Sequence, residues 1–123
     1  MSGVGTNGKV LEVDVEVVTY FRAKFRRSSK GLQHYRCFVE YLENRLFGER
    51  GRVVTLRARQ LTEYASQRLR TSDSRAGFYA YHFIKLIGKL LKRDVECNGR
   101  GTFIQVSRSE LEELVPVLRS LVR

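Results

Sequence analysis

The first patterned stretch of the chain, residues 10–26, alternates apolar and polar side chains. Leu11, Val13 and Val15 begin a run of odd-numbered apolar positions, and charged residues occupy most of the even-numbered ones. A period of two is typical of a strand with one buried face, so the pattern predicts a long N-terminal strand. Residues 1–8 before it are small, Gly-rich and polar, and we expect a flexible arm there.

Helical periodicity dominates the rest of the chain. Apolar residues recur every three or four positions, which predicts helices over 32–47, 57–69 and 75–92. A short β-branched segment, 52–56, predicts a strand between the first two of these helices. Two extended segments flank the Asn-Gly-Arg-Gly sequence at 98–101, and this arrangement predicts a β-hairpin.

The C-terminal segment begins with a capping box, Ser107 to Glu110, which predicts a last helix over 108–122. Leucines spaced three, four and three residues apart form a ladder along it, and Pro116 is expected to kink the helix or end its first part. The ladder fits either a dimer seam or packing onto the chain's own domain. We favour a homodimer, because a long N-terminal strand also invites edge pairing.

The order helix, strand, helix, turn, helix, hairpin over residues 32–106 resembles the winged helix-turn-helix superfamily. The segments that carry the resemblance are 52–56 as the first strand, 57–69 as the second helix, 75–92 as the recognition helix and 98–101 as the wing tip. The resemblance implies a recognition helix in the major groove of duplex DNA, with the wing on a neighbouring groove or the backbone. The turn before the recognition helix departs from the pattern, because it lacks a central Gly. The expected fold class is α+β, with one winged-helix domain over 9–123 that adds an N-terminal strand and a C-terminal helix.

The net charge of +10 is unevenly distributed. Residues 20–36 contain six Lys or Arg and no acid, and residues 52–93 contain ten Lys or Arg and two acids. A surface that serves only solubility mixes the two signs more evenly. The two basic blocks therefore predict a footprint for the phosphates of a nucleic acid, and DNA is the expected partner.

The third predicted helix, 75–92, has one apolar face and one cationic face that carries aromatic side chains and no carboxylate. A helix that is merely solvated usually mixes Glu with Lys, so this face predicts contact with DNA. The residues expected to contact DNA from the helices and the wing are Arg57, Arg59, Arg75, Phe78, Tyr81, His82, Lys85, Lys89, Lys92 and Arg100. The Lys residues and the two Arg residues of the second helix would neutralise phosphates, whereas Arg75, Tyr81 and His82 would lie near base edges. A plain solvated face is the competing interpretation, and Phe78 and Tyr81 fit equally well in the core under another element.

The first basic block suggests a second mode of binding. On a strand, Tyr20, Arg22, Lys24 and Arg26 would project from one face, and interleaved aromatic and cationic side chains hold single strands by stacking and charge. In combining a small sheet with helices the chain also loosely resembles the ThermoDBP family of thermophile single-stranded-DNA-binding proteins. A duplex-DNA transcription regulator is the favoured function. The alternatives are a sequence-neutral single-strand binder for repair or replication and a winged-helix module for protein interaction.

No motif of an enzyme is present: there is no Gly-rich phosphate loop, no HExxH and no GxSxG. We therefore expect no catalysis, no cofactor and no small-molecule substrate. Glu12, Asp14 and Glu16 share a predicted strand face and suggest a metal-dependent nuclease, but a solvated acidic edge is preferred. Cys37 and Cys97 lack neighbours at metal-ligand spacing, so two buried thiols are expected, with a disulfide as the alternative in a hyperthermophile. The absence of a secretory signal and of a long apolar run predicts a soluble, cytoplasmic protein.

Overall fold

The computed structural model describes residues 11–48 and 51–123 as five helices and a three-stranded antiparallel sheet. Along the chain the elements are α1 (Val15–Phe25), α2 (Ser29–Gly48), β1 (Val53–Arg57), α3 (Ala58–Leu69), α4 (Asp73–Leu91), β2 (Glu96–Asn98), β3 (Gly101–Ser107) and α5 (Arg108–Ser120). The expected α+β class is confirmed. The arm expected over residues 1–8 lies outside the described residues.

The N-terminal segment is helical, so the strand predicted over 10–26 is wrong. Asp14 caps α1, because its Oδ1 accepts a hydrogen bond from the Val17 amide at 3.0 Å. Val17, Phe21 and Phe25 follow one another at intervals of one turn, and all three are buried. This stripe packs against α2 and α4. The burial of the stripe outweighs the β-propensity of the valines, which is weak and depends on context.

The sheet has β3 in its centre, with β1 and β2 paired to it in antiparallel fashion on either side. Val54 and Leu56 on β1, and Ile104 and Val106 on β3, alternate towards the core. The β2–β3 hairpin turns through Gly99 and Arg100 and enters β3 at Gly101, whose φ of 101° is easily adopted by a residue without a Cβ atom. The predicted strand at 52–56 and the predicted hairpin are therefore confirmed within a residue or two.

Helix α4 lies at the centre of the molecule, packed against α1, α2 and α3 and also against β3. Its buried face carries Phe83, which completes an aromatic cluster with Phe25 of α1 and Tyr35 of α2. The three ring centroids lie 5.1, 5.5 and 6.4 Å apart. Because its neighbours cover most of α4, only one strip of the helix reaches solvent.

The last helix begins as predicted and packs inward. In the capping box, the Glu110 amide donates to Ser107 Oγ at 3.0 Å and the Ser107 amide donates to Glu110 Oε1 at 2.8 Å. Leu114 and Leu118 are buried in the chain's own core, and the helix continues through Pro116 to Ser120. The leucine ladder therefore packs onto its own domain, and the homodimer stays a prediction that now needs another contact surface.

The two cysteines differ. Cys37 is buried, as expected, whereas Cys97 is exposed on β2, so the prediction of two buried thiols is half wrong. Both thiols are free. Burial raises the pKa of the Cys37 thiol to about 11.

Candidate nucleic-acid interface

The packing of α1 against α4 joins the two basic blocks of the sequence into one surface. Tyr20 on α1 and His82 on α4 are in direct contact, with 2.5 Å between the Tyr20 hydroxyl and Nδ1 of His82. Around this contact lie six side chains that we call the α1–α4 surface: Tyr20, Lys24, Phe78, Tyr81, His82 and Lys85. All six belong to the set predicted to contact DNA.

Two aromatic rings of the α1–α4 surface are exposed to solvent. Phe78 is 51% exposed and Tyr81 is 40% exposed. Both rings pack edge-on against the His82 imidazole, with centroid distances of 4.5 and 5.0 Å. The prediction left open whether these residues belong to the core, and their exposure places them on the surface. Neighbouring exposed rings that are held in place offer a flat apolar platform to a ligand.

Two lysines of the α1–α4 surface lie near its tyrosine rings. The Lys24 Nζ atom lies 5.9 Å from the Tyr20 ring centroid, and the Lys85 Nζ atom lies 6.0 Å from that of Tyr81. Within residues 11–48 and 51–123, neither lysine forms an ion pair with a carboxylate. Each ammonium group is therefore partly exposed and, among the described residues, outside ion-pair distance of a carboxylate, so it is available to a phosphate.

The electrostatic state of the Tyr20–His82 contact follows from its surroundings. Burial lowers the pKa of His82, and the nearby charges of Lys24 and Lys85 lower it further. Burial also raises the pKa of Tyr20 to about 12. At neutral pH the tyrosine therefore keeps its proton and the imidazole is neutral, so the contact is a hydrogen bond between two uncharged groups, with its direction set by the imidazole tautomer.

The cationic strip of α4 ends before the helix does. Lys89 Nζ lies 2.8 Å from Glu16 Oε2 and 4.9 Å from the Tyr20 ring centroid, and Lys92 Nζ lies 3.5 Å from Glu12 Oε1. The sequence predicted that both lysines face phosphates, but the structure pairs them with the chain's own carboxylates. The reason is that α1 is a helix packed beside α4, which carries Glu16 over to Lys89.

The row of four side chains predicted on the N-terminal strand is split by the helix. At about 100° per residue, Tyr20 and Lys24 share one side of α1, whereas Arg22 and Arg26 fall on the opposite side. Arg22 and Arg26 are exposed. The prediction that all four residues share a face is therefore wrong.

Three other predicted arginines lie outside α1 and α4. The Arg57 guanidinium lies 5.1 Å from the ring centroid of Phe103, its partner across the sheet. Arg59 is 3.8 Å from Glu63 in an exposed pair one helical turn away. Arg100 is exposed at the hairpin tip. None of these contacts reaches the α1–α4 surface.

Arg75, the remaining predicted residue, lies in the first turn of α4 and lines a small cavity with Lys30, His34, Arg70 and Thr71. Sequence reasoning missed the last four as functional candidates. A signal was present, since Lys30 and His34 are one helical turn apart on α2 and residues 71–74 form a capping turn. The sequence does not show that this turn packs against α2.

The acidic residues of the N-terminal segment have separate structural roles. Asp14 caps α1, while Glu12 and Glu16 pair with different lysines of the α4 end. The shared strand face that suggested a nuclease does not exist. The described part of the chain contains no group of three or more His, Cys, Asp or Glu side chains placed to hold a metal ion.

Comparison of the chain with protein-family models, with curated proteins and with solved structures finds no match. Among the described residues, no helix combines the length and the apolar character needed to cross a bilayer.

Proposed function

We propose that this protein binds single-stranded nucleic acid on the α1–α4 surface. Bases stack on the rings of Phe78 and Tyr81, and phosphates lie near Lys24 and Lys85. The observation that carries the proposal is the combination of exposed rings with lysines that lack a carboxylate partner among the described residues. Stacking of a base on an aromatic side chain contributes about 1–3 kcal/mol, and counterion release adds a salt-dependent term.

The surroundings of α4 favour a single strand over a duplex. A recognition helix has to project from its domain to enter a major groove about 12 Å wide. Helix α1 lies beside α4 and contacts its exposed strip through Tyr20 and Glu16. In a duplex the faces of the bases are also stacked on each other, so they are closed to Phe78 and Tyr81. An unpaired strand offers those faces.

A duplex-DNA regulator is the second candidate, and the order of elements favours it. Over α2, β1, α3, α4, β2 and β3 the chain has the succession that the winged-helix resemblance implies, with Arg100 at the tip of the hairpin. In this mode the first half of α4, from Arg75 to Tyr81, would face the DNA. The second half is flanked by α1.

The test compares binding of a labelled single strand and a duplex of matched length by fluorescence anisotropy. Phe78→Ala should weaken single-strand binding roughly five- to hundredfold, because it removes one stacking platform. The matched control is Phe47→Ala, which truncates a phenylalanine that is 92% exposed at the end of α2 and should leave binding unchanged. Urea unfolding should show both variants folded, since both rings lie on the surface.

A second pair of variants tests the charge. Lys85→Glu and Arg22→Glu change the net charge equally, but Arg22 lies on the far side of α1 from Tyr20. We expect Lys85→Glu to weaken binding much more than Arg22→Glu. Equal losses would mean that net charge alone is at work and that the α1–α4 surface is not the site. If the wild-type protein prefers duplex and Phe78→Ala does not change that preference, the result would favour the duplex-DNA regulator.

A further inference from the structure

A small cavity lies at the N-terminal end of α4, where the turn between α3 and α4 meets α2. Its volume is about 70 Å³. Three cations line it, Lys30 from α2, Arg70 from the turn and Arg75 from α4, and none of its lining residues is acidic. Its position at the start of a 19-residue helix adds the positive end of the helix dipole. The lining therefore carries an excess of positive charge.

Two of the lining residues carry buried polar atoms that have no hydrogen-bond partner, His34 Nε2 and Thr71 Oγ1. His34 is only 2% exposed, and its other ring nitrogen lies 2.6 Å from the Lys30 carbonyl oxygen. Since that contact requires a proton on Nδ1, the ring is oriented and Nε2 remains unsatisfied. A buried polar group without a partner costs roughly 1–3 kcal/mol. The Thr71 hydroxyl can donate to an oxygen atom of an occupant, and His34 Nε2 can do so once it carries a proton.

Arg70 brings the third cation to the cavity from a left-handed helix cap. Arg70 caps α3 in the left-handed region, with φ 52° and ψ 46°. Glycine is the usual residue at such a cap, because a Cβ atom is disfavoured there. The chain keeps an arginine at this position, and its side chain lines the cavity. Replacing Arg70 by glycine would therefore remove a lining cation without straining the backbone.

We infer that this cavity binds a phosphate monoester and, as a step that rests on the proposed function, that it holds the terminal phosphate of a bound strand. A monoester presents three free oxygens, whereas an internal phosphodiester carries a sugar on each side and does not fit a space of this size. Arg75 precedes Phe78 on α4 by about 4.5 Å of helix rise. A strand end held in the cavity would therefore place its next bases towards the α1–α4 surface.

Proton uptake should accompany binding. Burial lowers the pKa of His34, and the charges of Arg75 and Lys30 lower it further. The groups that face the ring are Lys30 on α2, Arg70 in the turn, and Arg75 and Tyr79 on α4, with the Tyr79 ring centroid 4.6 Å away. A phosphate dianion would offset these cations and favour imidazolium, whose Nε2–H donates to a phosphate oxygen. The pKa of His34 should rise when phosphate is bound.

The first test uses inorganic phosphate alone, titrated while the His34 ring signals are followed by NMR. Saturable shifts and a raised pKa of His34 are expected in the wild type. Arg70→Gly should weaken phosphate binding about ten- to hundredfold, the range for losing a charged hydrogen bond, while unfolding in urea is unchanged or occurs at higher urea. The matched control is Lys92→Gly, which relieves the other left-handed cation cap, φ 54°, away from this cavity. It should leave phosphate binding unchanged.

The second test compares oligonucleotides of one sequence with a 5′-phosphate, a 3′-phosphate or neither. One terminal phosphate should raise the affinity about tenfold in the wild type, the effect of one charged hydrogen bond, and should have no effect in Arg70→Gly. If inorganic phosphate leaves the His34 signals unmoved, the cavity is not a phosphate site, whatever the strands do. If phosphate binds but no strand does, the proposed function fails and the cavity remains a site for free phosphate. Equal binding of all three strands would overturn the terminal-phosphate step alone.

Discussion

At the scale of single residues, one carboxylate limits how much of α4 is open to a polyanion. Glu16 lies 2.8 Å from Lys89, and the lysine side chain is 26% exposed because the Tyr20 ring also covers it. The carboxylate itself is largely in water. An ion pair with such an exposed partner contributes only about 0.2–1 kcal/mol. The phosphates of a strand therefore compete with Glu16 for the same ammonium group.

Removing that competitor should strengthen binding. We expect Glu16→Gln to raise the affinity for a single strand by a factor of about 1.4 to 5 at low salt, the equivalent of the pair's roughly 0.2–1 kcal/mol. Fluorescence anisotropy measures the change. Glu112→Gln is the control, because it removes an equal charge whose partner is Arg108 on α5, 3.7 Å away. Weaker binding of Glu16→Gln would show that the pair positions Lys89 rather than masking it.

At the scale of elements, the corner between α1 and α2 depends on one close approach. A Cβ atom built on Gly31 would lie 2.5 Å from the carbonyl oxygen of Phe25, the last residue of α1. The obstacle is backbone, so it does not give way as a flexible side chain would. Gly77, inside α4, has only the Thr62 Oγ1 atom nearby, at 3.8 Å. The same substitution at the two sites should therefore have opposite effects.

Gly31→Ala should lower the free energy of unfolding by about 1–3 kcal/mol, as forced overpacking does. Gly77→Ala should raise it by about 0.5–1 kcal/mol, because alanine loses less backbone freedom than glycine in a helix interior. Urea denaturation with unchanged m-values would measure both effects. A neutral Gly31→Ala would mean that α1 does not meet α2 at this corner.

The helices after α1 were predictable because their apolar positions recur at helical spacing and caps mark several of their ends. The segment of α1 carries two periods at once. Val13, Val15 and Val17 alternate as a strand does, whereas Val17, Phe21 and Phe25 step by one helical turn. The helical stripe prevails because partners from α2 and α4 cover it. Those partners lie far along the chain, and periodicity alone does not identify them.

Periodicity likewise identifies only part of the α1–α4 surface. Phe78, Tyr81 and Lys85 were predictable because they share the uncovered face of one amphipathic helix. The Tyr20–His82 contact joins residues 62 apart in the sequence, so nothing local indicates it. The cavity around His34 likewise needs two segments to meet.

At the scale of the whole molecule, the charge of +10 is partly compensated where acids are within reach. The C-terminal end of α4 has carboxylate partners, whereas Lys24, Lys85 and the cations of the His34 cavity have none among the described residues. These cations connect the N-terminal turn of α4 with the neighbouring side of α1. A bound strand should follow this path.

Salt dependence measures how many phosphates the path engages. With about three to five contacts, a plot of log K against log salt should have a slope of roughly −2 to −3.5 for a single strand. Lys85→Glu should make that slope shallower by about 0.7, the contribution of one contact. A slope near zero would show that the cations do not meet phosphates. A slope near −7, as for about ten contacts, would spread the interface over the whole basic surface.

The difference in exposure between the two thiols allows the native chain to be labelled with a dye at one cysteine. A maleimide dye reacts with an accessible thiolate, so it should label Cys97, which is exposed on the hairpin. Cys37 should not react, because it is buried and its pKa is raised. One fluorophore therefore attaches at one known place without mutagenesis. The brightness of a dye on the hairpin should change when duplex binds against the hairpin. It should stay constant when a single strand binds along α4.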